Sequence, residues 1–143
     1  MPIHSTYDFN GLFTIDLPMG QEYSDVSWCH SNKPLSCAAE YWEKNAGCEI
    51  DGDEAVIYYY DTSLLVGGES NVYKHAVNVL NKTYLYKIYQ KDGNLLIMRN
   101  DIGMTNLPEY LVGVGSDDGS KAVFVGGYNL EKLKSYASSI KFK

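Results

Sequence analysis

The sequence predicts an α+β domain: a single twisted antiparallel sheet of about six strands, packed against two to three helices that include a C-terminal helix. Two observations favour this class. Segments of strand character follow one another through the second half of the chain with turn signals between them, and helical patterns are few. Strands joined by hairpin turns form antiparallel sheets, whose apolar faces pack against helices. The 143 residues are expected to form one globular domain, residues 1–143.

The first half of the chain combines an early strand, a short helix and a hairpin. Residues 11–17 alternate in hydrophobicity and predict a strand that Pro18 ends. Residues 36–47 predict a helix, because helix-forming residues stand between a serine that can cap it and a glycine that stops it. Residues 48–51 and 54–61 then predict two strands around the turn signal "DGD".

The second half is predicted to hold strands between two amphipathic helices. The first helix lies within residues 67–82, with Ser70 as a candidate N-cap. The second spans residues 128–142, with Asn129 as its N-cap. The strands predicted between them are residues 84–90, 94–99, 110–114 and 121–125.

The two ends of the chain resemble a known family. The strand "FTIDLP" at residues 13–18 and the closing helix "LEKLKSYASSIKF" at residues 130–142, with hairpins between them, resemble the pattern of PsbP/DcrB-like domains. The resemblance implies a single α/β sandwich with an antiparallel sheet. It also implies a role as a binding or assembly module rather than an enzyme, and it assigns no functional residue.

Opposite charges dominate the two halves of the chain. Residues 1–70 hold twelve acidic and two basic side chains, whereas residues 71–143 hold six acidic and ten basic ones, and the net charge is −6. An acidic surface repels nucleic acid and attracts basic partners, although it also serves solubility alone. The chain has neither a signal-peptide pattern at its start nor an apolar run of membrane-helix length. We therefore expect a cytoplasmic protein that binds neither nucleic acid nor membrane.

No motif in the sequence is diagnostic of a metal site or a catalytic nucleophile. Cys29, His30, Cys37 and Cys48 lack the paired spacing of zinc ligands, and an odd cysteine count does not make a disulfide framework. The acidic run from Asp51 matches a calcium-binding loop only at its first and third positions. We expect no metal, no cofactor and no catalytic residue, and hence no enzyme.

One stretch, "CEIDGDEAVIYYYDT" at residues 48–62, concentrates acids and tyrosines. Its acids crowd onto one predicted turn, which does not suit a pair of carboxylates facing each other across a cleft. On a strand, Tyr58 and Tyr60 point to one face, which is either covered by a helix of this chain or open to a partner. The candidate partner-binding residues are Trp42, Glu43, Asp51, Asp53, Glu54, Tyr58, Tyr60 and Asp61.

Aromatic side chains surrounded by charge of one sign are typical of protein-recognition patches. We therefore expect a small acidic protein-binding module, in particular a bacterial immunity or inhibitor protein that neutralises a basic, nuclease-like toxin. The resemblance implies an alternative: an adaptor or chaperone of a secretion or assembly system, which would present an apolar groove instead of an acidic face. A cysteine-dependent enzyme is the second alternative.

Overall fold

The computed structural model describes residues 4–9, 11–18, 49–50, 55–62, 65, 67–101 and 108–143. Within these ranges the chain forms nine strands and two helices. In chain order they are β1 (His4–Phe9), β2 (Phe13–Pro18), β3 (Glu49–Ile50), β4 (Ala55–Tyr60), α1 (Val72–Lys82), β5 (Lys87–Asp92), β6 (Leu95–Arg99), β7 (Tyr110–Gly115), β8 (Ala122–Gly127), α2 (Leu130–Ser138) and β9 (Lys141–Phe142). The predicted helix at residues 36–47 lies outside the described residues.

The strands form two sheets, so the prediction of a single six-stranded sheet is wrong. One sheet has the order β1-β2-β9 and the other has the order β3-β4-β8-β7-β6-β5. Strand β1, which the sequence patterns did not predict, pairs with β2 along its whole length, from His4 opposite Pro18 to Phe9 opposite Phe13. The other edge of β2 pairs with β9. Strand β2 therefore pairs with β1 and β9, and with no described strand of the larger sheet.

Both faces of the six-stranded sheet are covered. Because successive side chains of a strand point to opposite faces, neighbouring residues of β4 belong to different cores. Ile57 and Tyr59 pack with β2 and helix α2, whereas Tyr58 and Tyr60 pack with helix α1. The three-stranded sheet and α2 therefore share one face of the large sheet, and α1 covers the other.

Helix α1 begins one residue later than the sequence predicts. Asn71, not Ser70, is the N-cap: its backbone is extended, and its side-chain oxygen accepts the Lys74 N–H at 3.0 Å. The buried side of the helix carries Val72, Ala76 and Leu80. Their spacing is that of one helical face, as predicted, and leaves the opposite side of α1 to solvent.

Helix α2 has the predicted N-cap but ends before the predicted boundary. The side chain of Asn129 accepts the Lys132 N–H at 3.3 Å. At the other end, the Ser139 hydroxyl donates to the Tyr136 carbonyl at 2.7 Å and competes with continuation of the helix. The chain then extends into β9, whose pairing with β2 uses backbone groups that a longer helix would have kept.

Candidate functional site

The aromatic part of the predicted partner-binding patch is buried. Tyr58 and Tyr60 are each 1% exposed and belong to the core beneath helix α1. Of the two alternatives left open by the sequence, the structure therefore shows the one in which a helix of the chain covers these rings. Asp61 is half-buried, and its charge, after the larger effect of burial, helps to raise the pKa of Tyr59 to about 12. The other predicted residues, Trp42, Glu43, Asp51, Asp53 and Glu54, lie outside the described residues.

No group of three or more histidine, cysteine, aspartate or glutamate side chains is placed to hold a metal ion within the described ranges. Cys29, His30, Cys37 and Cys48 lie outside those ranges. His75 on α1 has its Nδ1 2.5 Å from Glu69 Oε2, so this pair links the segment before the helix to the helix itself. No helix among the described residues is long and apolar enough to cross a membrane.

The acidic turn between β7 and β8 is held by its own hydrogen bonds. The Asp118 carboxylate accepts the Ser120 N–H at 3.0 Å and the hydroxyls of Ser120 and Ser116 at 2.7 Å each. These bonds, the backbone one foremost, lower the pKa of Asp118 to about 2. The carboxylate therefore closes a tight turn.

An open groove with a volume of about 700 Å³ lies beside helix α1. One wall is the outer side of α1, and the rest is formed by β5, β6 and the end of β7. The groove exists because α1 packs mainly over β7 and β8, so that β6 and the edge strand β5 extend beyond the helix.

The charge of this groove is positive. Lys74, Lys87 and Lys91 line it, and none of its described lining residues is acidic. Nor does any of the three lysines form an ion pair with a described residue. Besides asparagines, the lining includes apolar side chains, among them Ile88, which is 58% exposed, and Leu96, which is almost buried. As far as the described residues go, the groove therefore combines positive charge that no acid neutralises with accessible apolar surface.

The lysines stand at both ends of the groove. Helix α1 begins beside the β7–β8 turn, where the Val72 N–H donates to the Gly119 carbonyl at 2.8 Å, and it ends beside the start of β5. Strand β5 then returns towards the start of the helix. As a result, Lys74 and Lys91 lie towards one end of the groove and Lys87 towards the other.

The inner wall of the groove depends on a close approach between α1 and β7. The ring of Tyr73 stacks on Phe124, with centroids 5.9 Å apart, and burial raises the pKa of Tyr73 to about 12. A Cβ atom at Gly115 would lie 2.7 Å from Tyr73 Cβ, which is closer than real carbon atoms approach. Glycine at this position thus lets the helix sit directly against the strand.

The corner between α1 and β5 holds Leu85 in a strained conformation. Leu85 has φ of +62°, a region that bulky residues rarely adopt. Side-chain amides fix both neighbours: Asn81 donates to the Tyr86 carbonyl at 2.8 Å, and Asn100 donates to the Tyr84 carbonyl at 3.0 Å. The Leu85 side chain is left 51% exposed next to the groove end where Lys87 lies.

The Leu85→Gly variant is expected to have a free energy of unfolding about 1 kcal/mol higher than that of the Leu85→Ala variant, because only glycine adopts positive φ without steric cost. Both Leu85→Gly and Leu85→Ala remove the exposed side chain, so urea denaturation of the two variants isolates the backbone effect. The matched pair is Asn78→Gly and Asn78→Ala at an exposed position in the interior of helix α1, where the alanine variant should have the higher free energy of unfolding by a similar amount. The same order at both positions would contradict the strained corner.

The other face of the sheet edge carries a cluster whose charges are already paired. The Arg99 guanidinium lies 5.8 Å from the ring centres of both Tyr89 and Tyr110. It also bonds Glu109 at 3.1 Å and lies 3.5 Å from Asp101. Since both signs of charge are present and paired, this cluster presents less unpaired charge than the groove.

Comparison with known proteins gives no relative: no family model matches the chain, and neither curated proteins nor solved structures yield a significant match. The resemblance to PsbP/DcrB-like domains therefore stays a prediction. Reasoning from sequence also missed the groove residues. The ten basic side chains of residues 71–143 were the available signal, but their convergence depends on the packing of α1 against the sheet.

Proposed function

We propose that the protein is a protein-binding module, and more narrowly an immunity or inhibitor protein that neutralises a basic, nuclease-like toxin. The observation that supports this is the separation of charge, with twelve acidic against two basic side chains in residues 1–70. Charge of one sign speeds encounter with a partner of the other sign and suppresses binding to wrong partners. A phosphate-binding partner offers the complementary positive surface.

Asp51, Asp53 and Glu54 are the acids to test, because they stand within four consecutive positions of the acidic half. Several acids elsewhere are paired with bases or used in turns: Asp8 with Lys143, Asp92 with Lys134, and Asp118 in its turn. Ile50 and Ala55, which flank residues 51–54 in the sequence, pair with each other in the β3–β4 hairpin. Since Tyr58 and Tyr60 are buried, the proposal relies on the charge of this segment and not on those rings.

The first step is to establish whether a neighbouring gene encodes a toxic domain, and the test then measures association of this protein with that domain. Co-expression is expected to yield a stable complex and to restore growth, and absence of any complex would contradict the immunity function. The triple variant Asp51→Lys, Asp53→Lys and Glu54→Lys is expected to lower the association rate constant by roughly tenfold or more at low salt, and to flatten its salt dependence.

The matched control reverses three exposed acids from the other half of the chain, Asp101→Lys, Asp117→Lys and Glu131→Lys, with the same change in net charge. It should slow association much less, because position as well as total charge steers the encounter. Equal slowing by both triple variants would remove the segment from the proposed interface.

A second candidate function, an adaptor or chaperone, is favoured by one observation. Leu85 and Ile88 are both more than half exposed, Ile88 in the groove and Leu85 beside its end. Accessible apolar surface of this kind is what an assembly factor offers to a partner. A chaperone of this type should bind hydrophobic peptides irrespective of their charge, and the groove selection described below separates that behaviour from acidic recognition.

A further inference from the structure

We infer that the groove beside helix α1 binds a short, extended, acidic peptide segment of a partner protein. The groove is a separate, basic surface, so its occupant differs from the basic partner proposed for the acidic segment. Peptide binding in the groove can be tested independently of toxin neutralisation, because it uses the side chains of α1 and β5 and not residues 51–54.

Charge selects the occupant. Three lysines converge on one groove, and no described acid lines it or pairs with them. Like charges brought together repel one another, and a bound carboxylate relieves that repulsion. An acidic ligand therefore gains at both ends of the groove, near Lys74 and Lys91 and near Lys87.

The length of the groove along helix α1 fits an extended segment of about five residues. Helix α1 has 11 residues, which span about 16 Å at about 1.5 Å per residue. An extended chain covers that distance with about five residues at about 3.3 Å each. The fitting pattern is thus an acid at each end, about four positions apart, with an apolar residue between them over Ile88 and Leu96.

Free amides suit a peptide main chain. Asn78 on the helix wall and Asn94 on the sheet side are exposed, and neither side chain bonds another described residue. Each amide offers both a donor and an acceptor, which matches the alternating N–H and C=O groups of an extended backbone. The groove thus has partners for main chain, apolar side chain and carboxylate.

A peptide fits better than single-stranded nucleic acid. Nucleic-acid grooves pair positive charge with aromatic rings on which bases stack. Among the described lining residues the one aromatic ring is that of Tyr73, which already stacks on Phe124. The net charge of −6 also opposes a polyanion at long range more than it opposes a segment with two carboxylates.

The face of β5, and not its open edge, is the binding surface. The pairing of β5 with β6 contains a bulge between Ile88 and Gln90, and Lys87 and Lys91 lie along the strand. Bulges and edge lysines are devices that discourage pairing with a further strand. An occupant therefore lies between the helix and the sheet.

The experiment selects ten-residue random peptides, displayed on phage, against the intact protein, with counter-selection against the double variant Lys74→Glu, Lys91→Glu. Enriched peptides should carry two acids about four positions apart around an apolar residue. For an enriched peptide labelled with fluorescein, each of Lys74→Glu, Lys87→Glu and Lys91→Glu should weaken binding at least about fivefold by anisotropy.

The control Lys141→Glu changes the charge equally on the three-stranded sheet and should alter affinity less than about twofold. Four results would overturn the inference: no enrichment over the counter-selection, enrichment of apolar peptides without acids, tighter binding of single-stranded oligothymidine than of the best peptide, or equal losses from Lys141→Glu. Circular dichroism of each variant checks whether these exposed substitutions leave the fold intact, as we expect.

Discussion

Replacing Tyr58 with alanine is expected to lower the free energy of unfolding by about 3–5 kcal/mol, the range for truncating a large buried aromatic side chain. Tyr58 is 1% exposed in the core beneath α1, and its ring lies close enough to Gly126 to be 3.2 Å from a Cβ added there. Truncation of the ring would leave a cavity in this core. Urea denaturation monitored by circular dichroism measures the change.

Tyr89→Ala is the matched control, because it removes the same side chain from the same sheet where the ring is 51% exposed. Its cost should be about 1 kcal/mol or less, covering the loss of contacts with Arg99 and Tyr110. Similar costs at positions 58 and 89 would mean that the Tyr58 ring is open to solvent, and would restore it as a candidate partner-binding residue.

Replacing Gly113 with alanine is expected to lower the free energy of unfolding by about 1–3 kcal/mol through overpacking. An added Cβ would lie 2.5 Å from Phe124 Cε1, on the strand that pairs with β7. The ring has little room to move, because it also stacks on Tyr73 and meets Tyr60 edge-on at 6.1 Å. The same denaturation measurement applies.

The double variant Gly113→Ala, Phe124→Leu identifies the cause. If the ring is the obstacle, the alanine should cost at least about 1 kcal/mol less when leucine replaces Phe124, which is the coupling expected of residues in contact. Additive effects would place the strain of Gly113→Ala somewhere other than the aromatic stack. The result bears on the groove as well, since Tyr73 forms its inner wall.

Local patterns predicted much of the fold correctly at the level of single elements. The strand alternation placed Tyr58 and Tyr60 on one face and Ile57 and Tyr59 on the other, and the two cores have that division. The Asn129 cap and the β3–β4 hairpin were likewise readable, because caps and turns depend on a few consecutive residues.

Pairings between segments that are distant in the sequence were harder to predict. Strand β1 was missed although its hairpin with β2 contains Gly11 at φ of +71°, whose N–H donates to Asp8 Oδ1 at 2.9 Å. The short strand β9 is two residues long and forms only because β2 offers it an edge. Neither strand has enough hydrophobic pattern of its own to reveal which sheet it joins, so the existence of a second sheet could not be predicted.

The sequence by itself determined the separation of charge, the alternation of the tyrosines and the positions where most helices and strands begin. The charge separation follows from composition, and the other two features depend on residues that are close together in the sequence. Only the tertiary structure decided that α1 covers Tyr58 and Tyr60, and that it stops short of β5 and leaves a basic groove. The physical reason is that burial and convergence depend on which sheet face a helix packs against, and that choice is made by the whole chain.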